Sequence, residues 1–384
     1  MNILCIANEI GMSAAGIVYD TIIKELSLTN KVYVICPDIS LSCLASDSVT
    51  ILPTISLPND LRWSLKTMSA RLFGINITDY IGVKKHIARF DYGTLPRIDC
   101  ILSFVSQQKY FGLLLGKYLS KSTNVKWAIY CVDAIPSPWT KSYFLKNRIR
   151  NVFCNLVRDC DLFISANPQM LQYQLKNMQG FTGSTEVVYT PSQTISLPDS
   201  KSNSNDQLIF LYSGSLYGLR RIDPLIGAYR KLLNVYPETK IVFVGHHQNN
   251  TFAECQDLIK LGRIEVYPTV RDLSDFYANA AVLLDISADV SNDVFLSSKI
   301  ATYLQFKKPI VCISGNNSPV TNIFTGDKTI IHCNYCIDTI YAAMKSAISV
   351  IGVESINRDF YIQMFSAQQN CQRLISAITA IKFK

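Results

Sequence analysis

Short apolar runs, separated by loops and amphipathic stretches, follow one another along most of the chain. Residues 1–7 are an apolar run, residues 8–16 are a loop that contains Gly11 and Gly16, and residues 31–36 are a second apolar run. The stretch before the second run carries apolar residues at helical spacing. A strand, a loop, a helix and a second strand make a βαβ unit, which predicts a right-handed crossover and a parallel sheet.

The same alternation continues on both sides of a polar segment. Residues 191–206 are rich in Ser, Asn and Pro, which predicts a linker between two domains. A chain of 384 residues is long enough for two domains, each with its own core. The predicted fold class is α/β, with two Rossmann-like domains at residues 1–190 and 207–360. Further strands are predicted at residues 100–105, 125–131, 161–165, 186–189, 208–212, 241–245, 263–267, 281–285 and 310–313, and helices at residues 110–119, from 223 onward, at 252–261 and at 272–280.

The stretch from residue 293 to residue 311 contains a helix start that is suited to an anion. Ser297 or Ser298 can cap a helix with one apolar face, and Pro309 stops it before a buried strand. Free backbone N–H groups, two hydroxyls and Lys299 at such a helix start can bind a phosphate group. An ordinary capped helix with a solvated lysine is the alternative interpretation.

A second stretch with phosphate chemistry is the loop from residue 213 to residue 221. It leaves the carboxyl end of a predicted strand, and its two glycines allow a close approach of the backbone. Arg220 and Arg221 can each donate two hydrogen bonds to the oxygens of a diphosphate, although paired surface arginines are common. In a doubly wound sheet this loop and the helix start at residues 297–299 open on the same edge, which favours a shared phosphate site.

The composition is that of a packed protein, since 48% of the residues are hydrophobic and 17% are charged. No apolar run reaches bilayer length, and residues 1–7 lack the pattern of a signal peptide, so we expect a cytoplasmic protein. The only CxxC, at Cys333 and Cys336, has no second pair at metal spacing, so a zinc site is not expected. In a reducing compartment the cysteines of predicted buried strands are small hydrophobic residues. These are Cys5, Cys36, Cys131 and Cys312.

The net charge of +8 is concentrated in residues 1–190, which carry 19 basic and 13 acidic residues. Basic residues lie beside aromatic and aliphatic ones at residues 62–73, 84–89 and 139–150. This combination is typical of a surface on anionic lipid headgroups, and also of solvated helices with extended lysine side chains. Nucleic-acid binding is not favoured, because the basic residues are scattered and no recognition motif is present.

Asp133 stands just past the end of the strand predicted at residues 125–131. Open α/β sheets place ligand-contacting groups at that edge. An aspartate that opens a proline turn explains the same residue equally well.

Together these motifs resemble the GT-B glycosyltransferases, most of all the family-four enzymes that build bacterial O-antigen, capsule and exopolysaccharide. The loop with Arg220 is similar to that family's glycine loop, in which lysine is usual at the diphosphate-binding position. Residues 294–304 are similar to the family's lysine-bearing helix, and residues 266–280 resemble the segment that holds the nucleotide base. The resemblance covers nearly all of residues 205–384 and is mostly architectural over residues 1–190.

The resemblance implies two Rossmann-like domains that face a cleft, with the acceptor on the N-terminal domain and the nucleotide-sugar on the C-terminal one. It also implies a helix at residues 361–384 that packs back toward the N-terminal domain. Asp133 would be the base of an inverting reaction or a sugar-positioning group, and Glu9 and Gly16 would face the acceptor. The other implied roles are diphosphate binding by Gly214, Arg220, Arg221, Ser297, Ser298 and Lys299, nucleoside binding by Gly245, Val266, Tyr267 and Thr302, and sugar binding by Asn292 and Asp293.

The sequence departs from the family's usual pattern in two respects, the paired glutamates and a histidine. Two glutamates of many retaining members fall on Val294 and Thr302, and Asp293 is the nearest acidic substitute for the first. The histidine that often follows a middle strand of the N-terminal domain is replaced by residues 131–133. Retention and inversion of the sugar stereochemistry therefore both stay open.

The implied reaction moves a sugar from a nucleotide-sugar to a lipid-linked acceptor at the inner face of the plasma membrane. It is expected to use no cofactor and no obligatory divalent metal, because the sequence contains no tight metal-binding cluster. One alternative is a sugar-nucleotide 2-epimerase of the same architecture, which would act on the donor alone. Another is a non-catalytic partner subunit, which the missing glutamates suggest.

Overall fold

The computed structural model describes residues 1–11, 13–39, 47–54, 68–70, 72–107, 109–193, 195, 207–248, 250–270 and 272–381. The chain divides into two compact units. One comprises Met1–Pro191 together with Phe365–Lys384, and the other comprises Ser192–Met364. The backbone therefore passes from one unit to the other twice.

A parallel sheet forms the centre of the first unit. The strands of this unit are β1 (Asn2–Ile6), β2 (Glu9–Ile10), β3 (Lys31–Ile35), β4 (Asp38–Ile39), β5 (Val49–Ile51), β6 (Cys100–Val105), β7 (Lys126–Cys131), β8 (Leu162–Ser165) and β9 (Ser184–Val187). Across the part of the chain that the structure describes, the large sheet has the order β5-β3-β1-β6-β7-β8-β9, and β2 pairs separately with β4. Because β3 and β6 lie on opposite sides of β1, the strand order reverses there, which is where open α/β sheets bind ligands.

Polar side chains determine where the helices of the first unit begin. These helices are α1 (Ala14–Ser27), α2 (Ile77–Arg89), α3 (Phe111–Thr123), α4 (Tyr143–Val157) and α5 (Pro168–Asn177), and a short 3₁₀ turn follows α2 at Tyr92–Thr94. Ser13, Asn76, Ser142 and Asn167 each accept a backbone N–H of the first turn that follows, so four of these helices have side-chain caps. The caps orient the helices whose apolar faces cover the sheet.

The second unit repeats this architecture. Its strands are β10 (Leu208–Ser213), β11 (Thr239–Val244), β12 (Ile264–Tyr267), β13 (Val282–Ile286), β14 (Ile310–Ile313) and β15 (Ile330–Cys333). Its helices are α6 (Asp223–Leu233), α7 (Gln256–Lys260), α8 (Ser274–Asn279), α9 (Ser298–Leu304), α10 (Pro319–Ile323), α11 (Ile337–Ser349) and α12 (Arg358–Met364), with a 3₁₀ turn at Ala253–Cys255. The described strands form one parallel sheet in the order β12-β11-β10-β13-β14-β15. Here the order reverses at β10, so the loops after β10 and β13 leave adjacent strands.

A buried ion pair attaches α12 to the second unit. The Nε atom of Arg358 lies 3.3 Å from Oδ2 of Asp327, and both side chains are buried. Arg358 also donates a hydrogen bond of 3.2 Å to the carbonyl oxygen of Lys308. A guanidinium that is buried needs this full set of acceptors, because an unpaired buried charge is strongly destabilising.

The last helix belongs to the first unit. This helix, α13 (Ala367–Ala380), places Cys371, Leu374 and Ile378 in the same buried cluster as Ile22 on α1. Its Arg373 donates a hydrogen bond to the carbonyl oxygen of Val187, on the edge strand β9. Residues 361–364, which the sequence assigned to the returning helix, lie instead in α12 of the second unit.

The structure confirms the α/β fold class and two parallel sheets, and it corrects several element boundaries. Asp223 is the first residue of α6 rather than its cap, and its carboxylate binds Arg221 instead. The helix predicted at residues 252–261 is divided into a 3₁₀ turn and the short α7. Residues 62–67 and 71 of the first basic cluster, which include all of its basic residues, and residues 194 and 196–206 of the linker lie outside the described residues. The four cysteines assigned to buried strands are buried and unpaired.

Candidate functional site

The main candidate site lies at the carboxyl edge of the second sheet. Strands β10 and β13 pair in parallel there, with Phe210 opposite Val282. Since parallel strands end at the same edge, the loop that follows β10 and the segment that leads from β13 to α9 emerge side by side. The two stretches that the sequence singled out for phosphate chemistry are these two segments.

Two glycines allow the loop after β10 to pack tightly against its neighbours. Gly214 has φ +147°, and a Cβ atom at that position would lie 2.8 Å from Cδ of Lys299. Gly245 has φ +144°, and its added Cβ would lie 2.3 Å from the carbonyl oxygen of Gly214. A larger residue at Gly245 would displace the backbone of Gly214, and one at Gly214 would displace the side chain of Lys299. The predicted convergence of the glycine loop and the lysine-bearing helix is therefore confirmed.

Lys299 brings a positive charge into a largely buried position. Its Nζ atom lies 3.8 Å from Oδ1 of Asp285 and 5.3 Å from the ring centroid of Tyr212. Burial lowers the pKa of Lys299 to about 8, with the carboxylate of Asp285 opposing this effect and the guanidinium of Arg220 adding to it. Lys299 therefore lies against the Gly214 loop with an internal carboxylate beside it, and the charge of Arg220 acts on it.

Arg220 and Arg221 have different surroundings, although they are adjacent in sequence. The NH1 group of Arg220 donates a hydrogen bond of 3.1 Å to the carbonyl oxygen of Ser215, and its guanidinium lies 4.7 Å from the ring centroid of Tyr217. Arg221 instead binds both carboxylate oxygens of Asp223, at 3.1 and 3.0 Å, and lies 3.5 Å from Asp289. The structure therefore separates a guanidinium beside Lys299 from one that carboxylates already occupy.

The start of α9 supplies two hydroxyls of different character. Ser297 occupies the cap position, but its side chain makes no capping hydrogen bond. Its Oγ atom is shielded from solvent and has no hydrogen-bond partner among the described residues. Ser298 is exposed. A buried hydroxyl without a partner is costly, so Ser297 is the better suited of the two to bind a ligand oxygen, and this role stays a prediction.

Asn292 and Asp293 lie in the segment that leads from β13 to α9. Asp293 is only 2% exposed and accepts the backbone N–H of Phe295 at 3.2 Å. Burial raises the pKa of Asp293 to about 6, against the influence of that hydrogen bond and of Arg220. Asn292 is exposed and accepts a hydrogen bond of 2.7 Å from the amide of Asn317. These groups are suited to bind sugar hydroxyls, and this role stays a prediction.

The residues expected at the nucleoside occupy the end of β12 and one face of α9. Val266 and Tyr267 are both partly exposed, and the Tyr267 hydroxyl donates to Glu265 at 3.0 Å. Thr302 is buried, and its hydroxyl accepts the backbone N–H of Gln193 at 3.4 Å. The Thr302 hydroxyl thus fixes the segment that enters the second unit, and its contact with a ribose is untested.

The residues expected on the acceptor side lie at the carboxyl edge of the first sheet. Glu9 forms an ion pair of 2.6 Å with Lys109 and accepts a hydrogen bond from Ser13. Gly16 is buried in the first turn of α1, where an added Cβ would lie 3.0 Å from the backbone nitrogen of Gly11. The close approach of α1 to the preceding loop explains Gly16 without any ligand.

Asp133 lies in the same unit, just beyond the end of β7. It accepts the backbone N–H of Gln107 at 2.9 Å. Burial raises the pKa of Asp133, and Gln107 and Lys109 partly oppose that effect. A buried carboxylate with a raised pKa at the carboxyl edge of the sheet is suited to accept a proton, and this role stays a prediction.

Sequence reasoning missed three charged residues of these two sites. Lys109 follows the end of β6, the neighbour of β7, and this adjacency was the signal that could have found it. Asp79 is buried and accepts the backbone N–H of Tyr110 at 2.6 Å, and burial raises its pKa to about 6. Asp285 is a charged residue inside an apolar strand, which is itself an informative pattern.

Two further features of the described residues bear on partners. No group of three or more His, Cys, Asp or Glu residues among them is arranged to hold a metal ion. None of the helices in those ranges combines the length and the apolar character needed to cross a bilayer. The expectation that catalysis needs no divalent metal stays a prediction.

Neither the family models nor the curated proteins contain a match to this sequence. Solved structures do match it over nearly its whole length. HepE from Anabaena, in complex with UDP, has a TM-score of 0.67 at 14% identity, covering 99% of this chain and 100% of that chain. A glycosyltransferase from Rickettsia africae has a TM-score of 0.68 at 12% identity, covering 99% and 98%. The lipopolysaccharide outer core galactosyltransferase WaaB, in its apo form, has a TM-score of 0.61 at 13% identity, covering 99% of each chain.

At this level of identity the similarities concern the fold. The two units of this chain correspond to the two Rossmann-like domains of GT-B glycosyltransferases, as the sequence predicted. The first unit corresponds to one domain completed by the returning helix α13, and the second to the other.

Proposed function

We propose that the protein is a glycosyltransferase that binds a nucleotide-sugar in its second unit and transfers the sugar to an acceptor. The observation that carries this proposal is the contact of Lys299 with the Gly214 loop, beside Arg220, where the strand order of the second sheet reverses. Buried basic groups at a switch point are suited to a nucleoside diphosphate. The GT-B fold adds support, because the similar HepE structure holds UDP.

The proposed roles of the basic residues follow from where negative charge develops during sugar transfer. As the bond between the sugar and the diphosphate breaks, negative charge accumulates on the leaving phosphate oxygens. The guanidinium of Arg220 and the ammonium of Lys299 would stabilise that charge, and their buried positions strengthen the interaction. The Ser297 hydroxyl would donate a hydrogen bond to the same group. These groups would thereby bind the transition state, in which charge develops on the diphosphate, more tightly than the intact donor.

A thermal-shift screen of UDP, GDP, CMP and dTDP tests donor binding and identifies the nucleotide class. We expect one nucleoside diphosphate to raise the melting temperature, because a ligand that binds only the folded state stabilises it. UDP is the first compound to test, since it is the nucleotide bound by HepE.

The matching control in that screen is the Lys299→Met variant, which should fold and lose the stabilisation. A screen in which no nucleotide stabilises the wild-type protein would contradict the proposal. Conversion of a purified nucleotide-sugar to an isomer without an acceptor would identify a 2-epimerase instead. Stabilisation without turnover on any acceptor would favour a non-catalytic partner subunit.

The acceptor that we propose is lipid-linked, as in the synthesis of bacterial surface polysaccharides such as O-antigen or capsule. An exposed surface of the first unit supports this choice. Tyr143 and Phe144, at the start of α4, are 79% and 70% exposed. The rest of α4 carries three basic residues and no acidic one. Exposed apolar residues of a neighbouring segment extend this surface, because Gly74 packs against α4; they are Met68, Leu72 and Phe73.

Lys84 and Lys85, both exposed on α2, add to the positive charge of the same unit. Aromatic side chains beside lysine and arginine bind the headgroup region of anionic membranes through apolar burial and charge attraction. A lipid-linked acceptor at the inner leaflet would be presented at such a surface. The proposed location is therefore cytoplasmic and peripheral to the plasma membrane.

Vesicle sedimentation tests the membrane surface. We expect binding to phosphatidylglycerol vesicles that weakens with salt, and little binding to phosphatidylcholine alone. Replacing both Tyr143 and Phe144 with Ser should weaken binding at least about tenfold, because two large apolar side chains are no longer buried in the interface. The control is Phe360→Ser, which removes an exposed aromatic residue of the second unit. Equal binding of both variants would contradict this surface.

A further inference from the structure

A carboxylate lies beside the two basic groups of the candidate diphosphate site. Asp285 is the fourth residue of β13, a strand whose other residues are all apolar, and it is 1% exposed. Removal of a carboxylate from water is costly unless a cation or hydrogen-bond donors compensate for it. Its presence in the middle of a hydrophobic core therefore requires an electrostatic partner.

The contacts of Asp285 identify Lys299 as that partner, at a distance that leaves the lysine free to bind elsewhere. Oδ1 of Asp285 lies 3.8 Å from Nζ of Lys299, which is longer than a hydrogen bond, and Oδ1 has no hydrogen-bond partner among the described residues. Oδ2 lies 3.4 Å from the Ser287 hydroxyl, a weak contact. The same long separation from Oδ1 leaves the donors of Lys299 Nζ available to a ligand.

Asp285 also acts on the second basic group. It interacts electrostatically with Arg220, and Arg220 in turn interacts with Lys299. The positive charges of Arg220 and Lys299 repel one another, and a carboxylate that attracts both offsets that repulsion. One buried carboxylate thus keeps both basic side chains near the Gly214 loop in the unbound protein.

We propose that Asp285 is an internal counter-ion of the diphosphate site, which positions Lys299 and Arg220 while the site is unbound and yields Lys299 to the incoming diphosphate. This inference rests on the proposed function, because it assumes that a nucleoside diphosphate binds there. Asp285 is a positioning residue in this scheme, since it acts on the phosphate only through Lys299 and Arg220.

The scheme predicts that binding of the diphosphate is coupled to the uptake of a proton by Lys299. The groups that act on Lys299 are Asp285 of β13, Tyr212 of β10 and Arg220 of the loop after β10. Burial lowers the pKa of Lys299 to about 8. Near pH 8 a fraction of the lysine is therefore neutral in the unbound site. A diphosphate favours the charged form, so binding takes up a proton, and affinity falls as the pH rises above about 8. Tyr212, Tyr303 and Cys312, which surround Asp285, do not titrate in this range because burial raises their pKa values.

Calorimetry of UDP binding at pH 8, in buffers of different ionisation enthalpy, tests the proposal. The wild-type protein should take up a fraction of a proton, and Lys299→Arg should bind UDP without proton uptake, because arginine does not titrate. Asp285→Asn should bind UDP about tenfold more tightly at pH 7, since an anion no longer competes with the diphosphate. It should also take up more protons than the wild type at that pH, because the loss of the carboxylate lowers the pKa of Lys299 further.

The matched control is Asp338→Asn, which removes an equal charge from an exposed ion pair with Lys231 and should leave affinity and proton uptake unchanged. Wild-type affinity and wild-type proton uptake in a folded Asp285→Asn protein would overturn the proposal. If that variant does not fold, the wild-type protein still decides, because UDP binding without proton uptake between about pH 7 and 9 would overturn it. Failure of the wild type to bind any nucleotide would reject the proposed function instead.

Discussion

Arg220→Ala should weaken nucleoside diphosphate binding about a hundredfold, or about 2.7 kcal/mol, while the protein stays folded. The guanidinium lies beside Lys299 in a partly buried site, where a charge-assisted hydrogen bond to a phosphate is strong. In the protein it donates a hydrogen bond to Ser215 and packs on Tyr217, and the loss of these contacts is compatible with folding. Isothermal calorimetry with UDP measures the change, and the melting temperature reports the fold.

Arg221→Ala is the matched control, since it removes the same side chain one residue further along the chain. Arg221 is already bound by Asp223 and Asp289, so its loss should change affinity by less than about threefold. Unchanged UDP affinity in the Arg220→Ala variant would remove that residue from the diphosphate site. Equal losses in both variants would mean that the charge of the loop matters and its geometry does not.

Asp133→Asn should lower turnover at least about a hundredfold and leave UDP binding unchanged, because a general base contributes roughly 10²–10⁴-fold. The amide has nearly the same shape as the carboxylate but cannot accept a proton from the acceptor hydroxyl. If Asp133 is the base, the active form of the protein carries the ionised carboxylate. Since burial raises its pKa, turnover should fall on acidification at a higher pH than for a solvated aspartate.

The measurement is turnover at saturating donor and acceptor, together with its pH profile. Asp159→Asn, which removes a carboxylate of the same unit from exposed ion pairs with Lys117 and Lys121, should retain full turnover. Full activity of Asp133→Asn would exclude this residue as the base. A loss of turnover with an unchanged acidic limb in the pH profile would assign it a positioning role.

The sequence was sufficient for the architecture because the architecture depends on periodic features. Parallel strands that are covered by helices on both faces are continuous apolar runs, and loops at their carboxyl ends are the natural place for ligands. The position of Lys299 beside the Gly214 loop could be predicted for the same reason. Two elements that follow adjacent parallel strands must emerge at one edge, whatever their side chains.

Side-chain partners could not be predicted, because they depend on contacts between distant residues. Arg220 and Arg221 are equivalent in the sequence, and only the carboxylates of Asp223 and Asp289 distinguish them. Asp223 precedes a proline and therefore has the pattern of a helix cap, yet its carboxylate binds Arg221 instead. Gly16 is consistent with a ligand-binding glycine until the backbone of Gly11 is seen beside it.

Asp285 shows both what the sequence can predict and what only the structure can show. A charged residue in an apolar strand indicates a special role, but the sequence does not show which cation pairs with it. That information comes from the packing of α9 over the glycine loop, which places Lys299 at 3.8 Å. The strand order that positions the site can thus be predicted, whereas the side-chain contacts within the site depend on tertiary packing.

The return of α13 to the first unit has a consequence for biosynthesis. Cys371, Leu374 and Ile378 fill the same hydrophobic cluster as Ile22, although almost the whole chain separates them from it. During translation the second unit has emerged in full before those residues are available. The first unit therefore keeps an uncovered apolar face until α13 has been synthesised, and its folding can be completed only after the second unit has emerged.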